Sequence, residues 1–404
     1  MSRVWGDTRP VAIPAPGEER FLRAASLPDH LEPVTGPVPQ GAAILITGAG
    51  GFVGGYLLRA LLARTSAPIV CLVRGDEALA RTHLLARLAA FGISVAAGRI
   101  SVISGSITEP QFALPPKVFD RLTKDVGIII HLAAQLDFRS SFDKLRLVNV
   151  GSLVHVLSLA AAGLPKRVVY VSSLSVLETT AYYGRTVTES TRLIHPELLP
   201  LGYAQTKWTA EKMLATARAR GFNALCLRPS WIVGHDPRVI QTGFVASLMR
   251  IFAAVGAIPD CAGALKLVPV DFVAEACALL GLEQAPSLRT HIFHLGAAEA
   301  KSSAHFAEAI AAAGRAMDRV SISAFLHRVS TEFRQKRSLE LMMFRHIFMG
   351  WPSRPPIGLP YFAGRAPVFD ATASLRLLQR AGLRQPALDL AAFARCCLRL
   401  PADP

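Results

Sequence analysis

An α/β architecture, a doubly wound parallel sheet followed by a smaller and mainly helical C-terminal lobe, is predicted by three observations. First, short and largely apolar runs such as AAILIT, PIVCLVRG and VGIIIHLAAQ alternate with stretches of helical periodicity over the first 235 residues. A strand buried on both faces reads as an unbroken apolar run, and parallel sheets covered by crossover helices bury both faces. Second, the first run passes directly into a glycine-rich turn that opens a helix. Third, beyond residue 236 the alternation gives way to helices and Pro-rich loops such as WPSRPPIGLP.

Residues 1–40 are rich in Pro, Gly and charge, end in EPVTGPVPQG, and read as an arm or linker. Residues 41–235 form the sheet domain. Its strands are AAILIT, PIVCLVRG, RISVISGSI, VGIIIHLAAQ, KRVVYVSSLSV and FNALCLRPSWIVG, and a seventh, HIFHLG near 291–296, returns to it from the C-terminal lobe. Between them lie helical patterns, among them FVGGYLLRALLAR with Tyr56, Leu57, Leu61 and Leu62 on one face, and YAQTKWTAEKMLATARARG. Residues 236–404 are assigned to a substrate-binding lobe.

With 404 residues, 51% of them hydrophobic and 18% charged, the composition is that of a packed globular protein and excludes disorder. No uninterrupted apolar run reaches 18 residues, and the first residues lack the apolar core of a signal peptide, so a soluble, cytoplasmic protein is expected. Cys71, Cys226, Cys261, Cys277, Cys396 and Cys397 form no C-x-x-C pair and read as small core residues. The formal net charge of +15 favours an acidic partner, while aromatics at 7%, not interleaved with the basic residues, argue against a nucleic-acid platform.

The turn ITGAGGFVG has the strand–turn–helix context of a Rossmann-type dinucleotide site. A strict G-x-G-x-x-G fails, because Val53 stands in the third glycine's place. The pattern T-G-x-x-G-x-x-G fits, through Thr47, Gly48, Gly51 and Gly54. After the second strand, LVRGDEALAR offers Arg74 and Arg81, whose guanidinium groups suit a 2′-phosphate and favour NADPH. Asp76 and Glu77 keep NAD open as the alternative. In LGYAQTKW, Tyr203 and Lys207 are four residues apart and share one helix face.

Together with HLAAQLDF, LRLVNVGS, VYVSSLSV, LRPSWIVGH, VGAIPD, LKLVPVDFVAEA and FDATASLRLL, these motifs resemble the thioester reductase domains of the extended short-chain dehydrogenase/reductase superfamily. Such domains terminate nonribosomal peptide and polyketide synthases and form part of carboxylic acid reductases and aminoadipate reductase. The resemblance runs from about residue 30 to the C-terminus. It implies Ser173, Tyr203 and Lys207 as the catalytic group. It further implies cofactor contacts at Thr47, Gly48, Gly51, Phe52, Val53, Gly54, Arg74 and Arg81, and again at Ser106, Ile107, Ala133, Ala134, Asn149, Tyr203, Lys207 and Pro229. Tyr203 would act as the acid, its phenol acidified by the Lys207 ammonium and an oxidised nicotinamide.

The implied activity is NADPH-dependent reductive release of an acyl thioester, carried by a carrier protein or by CoA, to an aldehyde, with a further hydride reaching the alcohol. Two departures stand out. Gly105-Ser106-Ile107 replaces the family's G-D-L or G-D-I, and HDPRVIQTG exceeds the usual loop length, so the substrate rim is expected to differ. The only carrier-like triplet, Gly151-Ser152-Leu153, lies within a helix of the reductase pattern and is rejected, so a carrier would act in trans. The first 40 residues, with their own methionine, favour a free-standing protein. The alternatives are a fatty acyl-CoA reductase, a free-carbonyl reductase or dehydrogenase, a sugar epimerase, or a non-catalytic NADP-binding regulator. The basic stretch LHRVSTEFRQKRSLELMMFRHIF is expected to pack its apolar residues in the C-terminal lobe, and Arg334, Arg337 and Arg345 are candidates for docking a carrier.

Overall fold

The seven apolar runs become one seven-stranded parallel sheet: β1 (Ala43–Thr47), β2 (Ile69–Val73), β3 (Ile100–Ser104), β4 (Val126–His131), β5 (Arg167–Val171), β6 (Asn223–Pro229) and β7 (Ile292–Leu295). The computed structural model describes residues 17–234, 243–283, 290–336, 361 and 363–398. Across the sheet the order is β7-β6-β5-β4-β1-β2-β3. The order reverses at β1, which pairs β2 on one side and β4 on the other, with Ile46 opposite Cys71 and Ile130. Open α/β sheets bind ligands beyond the strand ends at such a reversal.

Both faces of the sheet are covered, as unbroken apolar strands require. On one face lie α2 (Phe52–Arg64), α3 (Glu77–Ala90) and α9 (Val270–Leu282), whose Leu57, Leu61, Leu84, Val273 and Cys277 share one core with Ile44, Ile46 and Ile130. The other face is covered by α4 (Pro116–Asp125), α6 (Gly151–Ala160) and α7 (Gly202–Ala219), with Leu122, Leu153, Met213 and Leu214 packed on Leu45, Ile129 and Val168. Between α4 and α7, α5 (Phe142–Asn149) leads into α6.

The expectation of an arm over residues 1–40 differs from the structure wherever it is described. Helix α1 (Glu19–Ala24) buries Phe21 completely, its ring 4.7 Å from Phe142 and 6.3 Å from Trp208. Leu27 and Leu31 join the core under the sheet, and Arg220 donates to Pro28 O at 2.7 Å. A six-residue helix is not stable alone; burying the Phe21 ring contributes roughly 1.5–3 kcal/mol and holds it in place.

The C-terminal lobe has its own core, in which Met249 and Phe252 of α8 (Phe244–Val255), Phe306 of α10 (Ser303–Ala312), Phe325 and Val329 of α11 (Ile322–Lys336) and Phe393 of α13 (Leu390–Leu398) converge. The described part of the basic stretch thus packs its apolar residues as expected; its remainder, with Arg337 and Arg345, lies outside the described residues, as does the loop HDPRVIQTG from residue 235 to 242. The lobe is not one continuous segment after 236. Helix α9 returns to the sheet, and so does α12 (Thr372–Arg380), whose Leu378 enters the sheet's core. Just before α12, Val368 and Phe369 pair with Thr186 and Val187.

Candidate active site

At the reversal of strand order, two adjoining cavities of about 760 and 400 Å³ share Gly48, Gly51 and Ala134. Gly48 adopts a positive φ of 79°, and a Cβ there would lie 2.8 Å from Ala133 N. At Gly54 a Cβ would lie 2.3 Å from Ala49 O, so only glycine lets α2 close on the turn. Gly50 and Gly51 present bare backbone to the larger cavity at the N-terminus of α2. This is the cradle a dinucleotide pyrophosphate needs, and the residues present fit that group.

The larger cavity also collects Arg74, Ser106, Ile107, Ala133 and Ala134, all expected there. Phe52, Val53, Gly54 and Pro229 line the smaller one with Ser173, Tyr203 and Lys207. Three expected contacts lie elsewhere. Arg81 turns away and donates to Ile100 O at 2.8 Å. Arg87, which sequence reasoning missed, lines the larger cavity instead and ties α3 to the turn, donating to Gly51 O at 2.9 Å and Phe52 O at 3.1 Å.

Thr47 is fully buried and works as a strut. Its hydroxyl accepts from Ala133 N at 3.3 Å, which leaves its proton for His131 Nδ1 at 2.7 Å. Burial, with Lys207 nearby, pulls His131 down to about 3; the ring is neutral, and its Nε2–H donates to Ser152 Oγ at 3.1 Å. Asn149, 1% exposed, sits behind the 133–135 loop: it accepts from Gln135 N at 2.7 Å and donates to Gln135 O and Thr206 Oγ1, both at 3.0 Å. It thereby fastens the cavity wall to α7, which carries Tyr203.

The acidic residues after β2 are already engaged. Asp76 caps α3 by accepting from Leu79 N at 2.6 Å, and Glu77 accepts from Ser104 N at 3.2 Å. Both bonds serve local structure, as expected of carboxylates in the first turn of a helix.

Ser173 follows β5, and its hydroxyl accepts from Ser175 N at 3.1 Å as it starts a short turn of 3₁₀ helix, Leu174–Leu177. Tyr203 and Lys207 occupy the first two turns of α7. Lys207 is 2% exposed; its Nζ donates to Val171 O at 2.7 Å and stands 5.8 Å from the Tyr203 ring centroid. Burial lowers the Lys207 ammonium to about 8. The expected acidification of Tyr203 is not seen in the protein alone, where burial pushes the phenol up. The hydroxyl therefore keeps its proton near neutrality, the form a proton donor needs.

Behind Ser173 runs a buried charged chain. Ser172 donates to Glu211 Oε1; Arg228 meets Glu211 through Nε at 3.0 Å to both oxygens and Nη2 at 2.6 Å. The Arg228 and Glu211 side chains are 2% and 4% exposed. Arg228 Nη1 donates to His294 Nε2 at 3.2 Å, and His294 Nδ1–H donates to Asp370 O at 2.8 Å. Ser374 continues the contact, donating to Glu189. The turn that carries Ser173 is thus anchored to the FDATASL segment, which explains that motif structurally.

A family model described as "Male sterility protein", an NAD-binding domain, matches residues 46–277. The chain is 34% identical over 283 residues to the L-2-aminoadipate reductase large subunit of Eremothecium gossypii, and 29% identical over 383 residues to a component of the linear gramicidin synthase of Brevibacillus parabrevis. These matches take in 64% and 90% of the chain but only 20% and 7% of those relatives' lengths. Among solved structures, the terminal R domain of the myxalamid PKS-NRPS pathway superposes with a TM-score of 0.80 at 28% identity, covering 94% of this chain and 96% of that one. The reductase domain of a nonribosomal peptide synthetase from Mycobacterium tuberculosis has the same fold, with a TM-score of 0.71 at 22% identity over 94% and 95% of the two chains. Among the described residues no helix is long and apolar enough to cross a membrane.

Proposed function

The chain belongs to the NAD-binding family described as male sterility protein, and on that premise we propose that it is an NADPH-dependent reductase releasing an acyl group from its thioester as an aldehyde. The observation that carries this reading is the convergence of Ser173, Tyr203 and Lys207 on one wall of the smaller cavity, next to the glycine cradle. A bound nicotinamide dinucleotide supplies the hydride. Tyr203 gives its proton to the thioester oxygen, and Ser173 donates a second hydrogen bond to the same oxygen as charge grows on it. Lys207, held by Val171 O, keeps a positive charge beside the phenol as that proton leaves. The resulting hemithioacetal breaks its C–S bond, yielding aldehyde and free thiol, with the hydroxyl proton passing to sulfur. No acyl-enzyme is required; Cys71, Cys226 and Cys277 are buried, and burial raises all three thiols above their ordinary range.

The preference for NADPH rests on Arg74 lining the cavity while Asp76 and Glu77 are held in backbone hydrogen bonds. A charge-assisted contact to a 2′-phosphate contributes about 1.5–3 kcal/mol, so Arg74→Ala lowers kcat/KM for NADPH by about one to two decades and leaves NADH use nearly unchanged. Steady-state kinetics with both cofactors check this. Equal efficiency with NADPH and NADH in the unmutated protein removes the preference.

The net charge of +15, with Arg334 exposed on α11, favours an acidic carrier protein as the donor of the thioester. Electrostatic steering acts on encounter and is screened over about 8 Å at physiological salt. Efficiency toward a carrier-bound acyl thioester therefore exceeds that toward the matching CoA thioester and falls as salt rises, while kcat changes little. NADPH oxidation over a salt series with both substrates is the test; equal use of both, insensitive to salt, points to an acyl-CoA reductase instead.

A further inference from the structure

Beyond the reaction itself, the smaller cavity contains one carboxyl group that the chemistry does not use. Its walls are largely apolar, drawn from Leu136, Phe138, Trp231, Phe244 and Phe369. Into this lining come Glu178 and Ser175, both from the short turn that begins at Ser173. Glu178 is 6% exposed, and one of its oxygens accepts a hydrogen bond from the Tyr361 hydroxyl, to which the Trp231 indole in turn donates. Among the described residues nothing else bonds this carboxyl and no cation pairs with it. The Ser175 hydroxyl, also buried, has no partner among the described residues.

A buried carboxylate is costly unless it is paired, and burial pushes Glu178 up to about 7. A group kept so near its ionisation midpoint is charged readily once a cation comes beside it. Four residues, Leu174–Leu177, separate Glu178 from Ser173 in a 3₁₀ turn of about 2 Å rise per residue, so a ligand group facing Glu178 lies within roughly 10 Å of the reacting carbonyl.

We propose that Glu178, with Ser175 beside it, forms an acyl-group subsite that recognises a primary amine on an otherwise apolar acyl chain. The preferred substrate is then an amino-substituted acyl thioester, the ammonium pairing with Glu178 and donating to Ser175 Oγ while the hydrocarbon lies against Phe138, Trp231 and Phe244. Tyr361 holds the carboxyl in place and leaves its second oxygen for the ligand. This subsite deepens the thioester reductase reading and rests on it.

The test uses pantetheine thioesters of hexanoic acid, unsubstituted or bearing an amine or a hydroxyl at C2, C4 or C6, with the full chain and NADPH. At one of these positions the amine raises kcat/KM about 10- to 100-fold over the unsubstituted chain, the range of a charge-assisted hydrogen bond. Glu178→Gln still accepts from Tyr361; it removes that advantage, mainly through KM, and leaves reduction of the unsubstituted hexanoyl thioester within about threefold. The inference is overturned if no amine position is favoured, if the hydroxyl analogues are favoured instead, or if the substitution slows both substrates alike. Calorimetric titration of the matching pantetheine amides, which cannot release a thiol, reads the subsite without turnover. Were no thioester reduced at all, the reductase reading would fail, and the amide titration would still decide whether Glu178 selects an amine.

Discussion

Tyr203→Phe lowers kcat for thioester reduction by about 10²–10⁴-fold, the usual contribution of a positioned general acid, and leaves the dissociation constant for NADPH within about threefold. The expectation follows from the placement of Tyr203 in the first turn of α7, where it lines the smaller cavity while its backbone carbonyl accepts from Thr206 Oγ1 at 2.7 Å. Removing one oxygen atom leaves the ring, the helix and the Asn149 strut in place, so folding and cofactor binding are spared. Because burial pushes the phenol up, the unmutated protein holds its proton through neutral pH. The loss is therefore of the donor itself, not of a fraction ionised at the assay pH, and it persists from pH 6 to 8. Turnover within about threefold of the unmutated rate would remove Tyr203 from the mechanism.

Arg228→Met destabilises the protein by about 3–5 kcal/mol, because it removes the bidentate partner of Glu211 and leaves a buried carboxylate hydrogen-bonded only by the Ser172 hydroxyl and the Cys226 thiol, with Lys207 and Lys212 acting on it through space. The pH dependence has a definite sign. In the unmutated protein Arg228 is the strongest influence opposing burial and holds Glu211 below its usual range. A depressed carboxyl stabilises the fold above its unfolded pKa and loses that contribution as pH falls through the folded value. In the variant, burial acts unopposed by Arg228 and raises Glu211, so folding weakens as pH rises. The gap between the two proteins is widest near pH 8 and narrows toward pH 4. Chemical denaturation across that range measures it. Glu211→Gln added to Arg228→Met recovers part of the loss; a gap independent of pH, or no recovery, would contradict a charge-based origin.

The sheet was legible because its inner strands are buried on both faces and read as apolar runs, while the edge strand β3 keeps Ile100 and Val102 buried and Ser101 and Ser104 exposed, and β7 reads as a strand even though it returns from a distant part of the chain. The glycine turn and the Tyr203–Lys207 spacing were legible for a similar reason: their geometry restricts which residues can stand there. Phe21 was not, since a single buried aromatic in the charged stretch ERFLRA creates no period. Arg81 and Arg87 are six residues apart, which on an α-helix places them about 120° apart. Arg87 belongs to the stripe of Leu84 and Leu88 that faces the sheet, a signal present in the sequence but outweighed by the proximity of Arg81 to the strand end. Thr47 and Asn149 stand within motifs that surround the cavity, and nothing in a linear pattern separates a side chain facing the ligand from one bracing the wall behind it. Glu178 lies in SVLETT, where no repeat or spacing marks it.

The return of the chain to its first domain has a consequence for the order in which the molecule forms during synthesis. Until Ile292–Leu295 has emerged, β6 is an open sheet edge, and until Asp370 and Ser374 have emerged, the chain from Glu211 through Arg228 to His294 lacks its last partners. Folding that follows the order of synthesis therefore cannot complete the wall behind Ser173 until Ser374 has been made. The contacts that close it are non-local, 80 residues apart for His294 and Ser374 and 76 for His294 and Asp370, which makes them slow to form and leaves an unpaired edge exposed in the meantime. A nascent chain of this protein passes through a long period in which the nucleotide cradle can already be shaped while the strand edge beside it is still able to pair with the wrong neighbour.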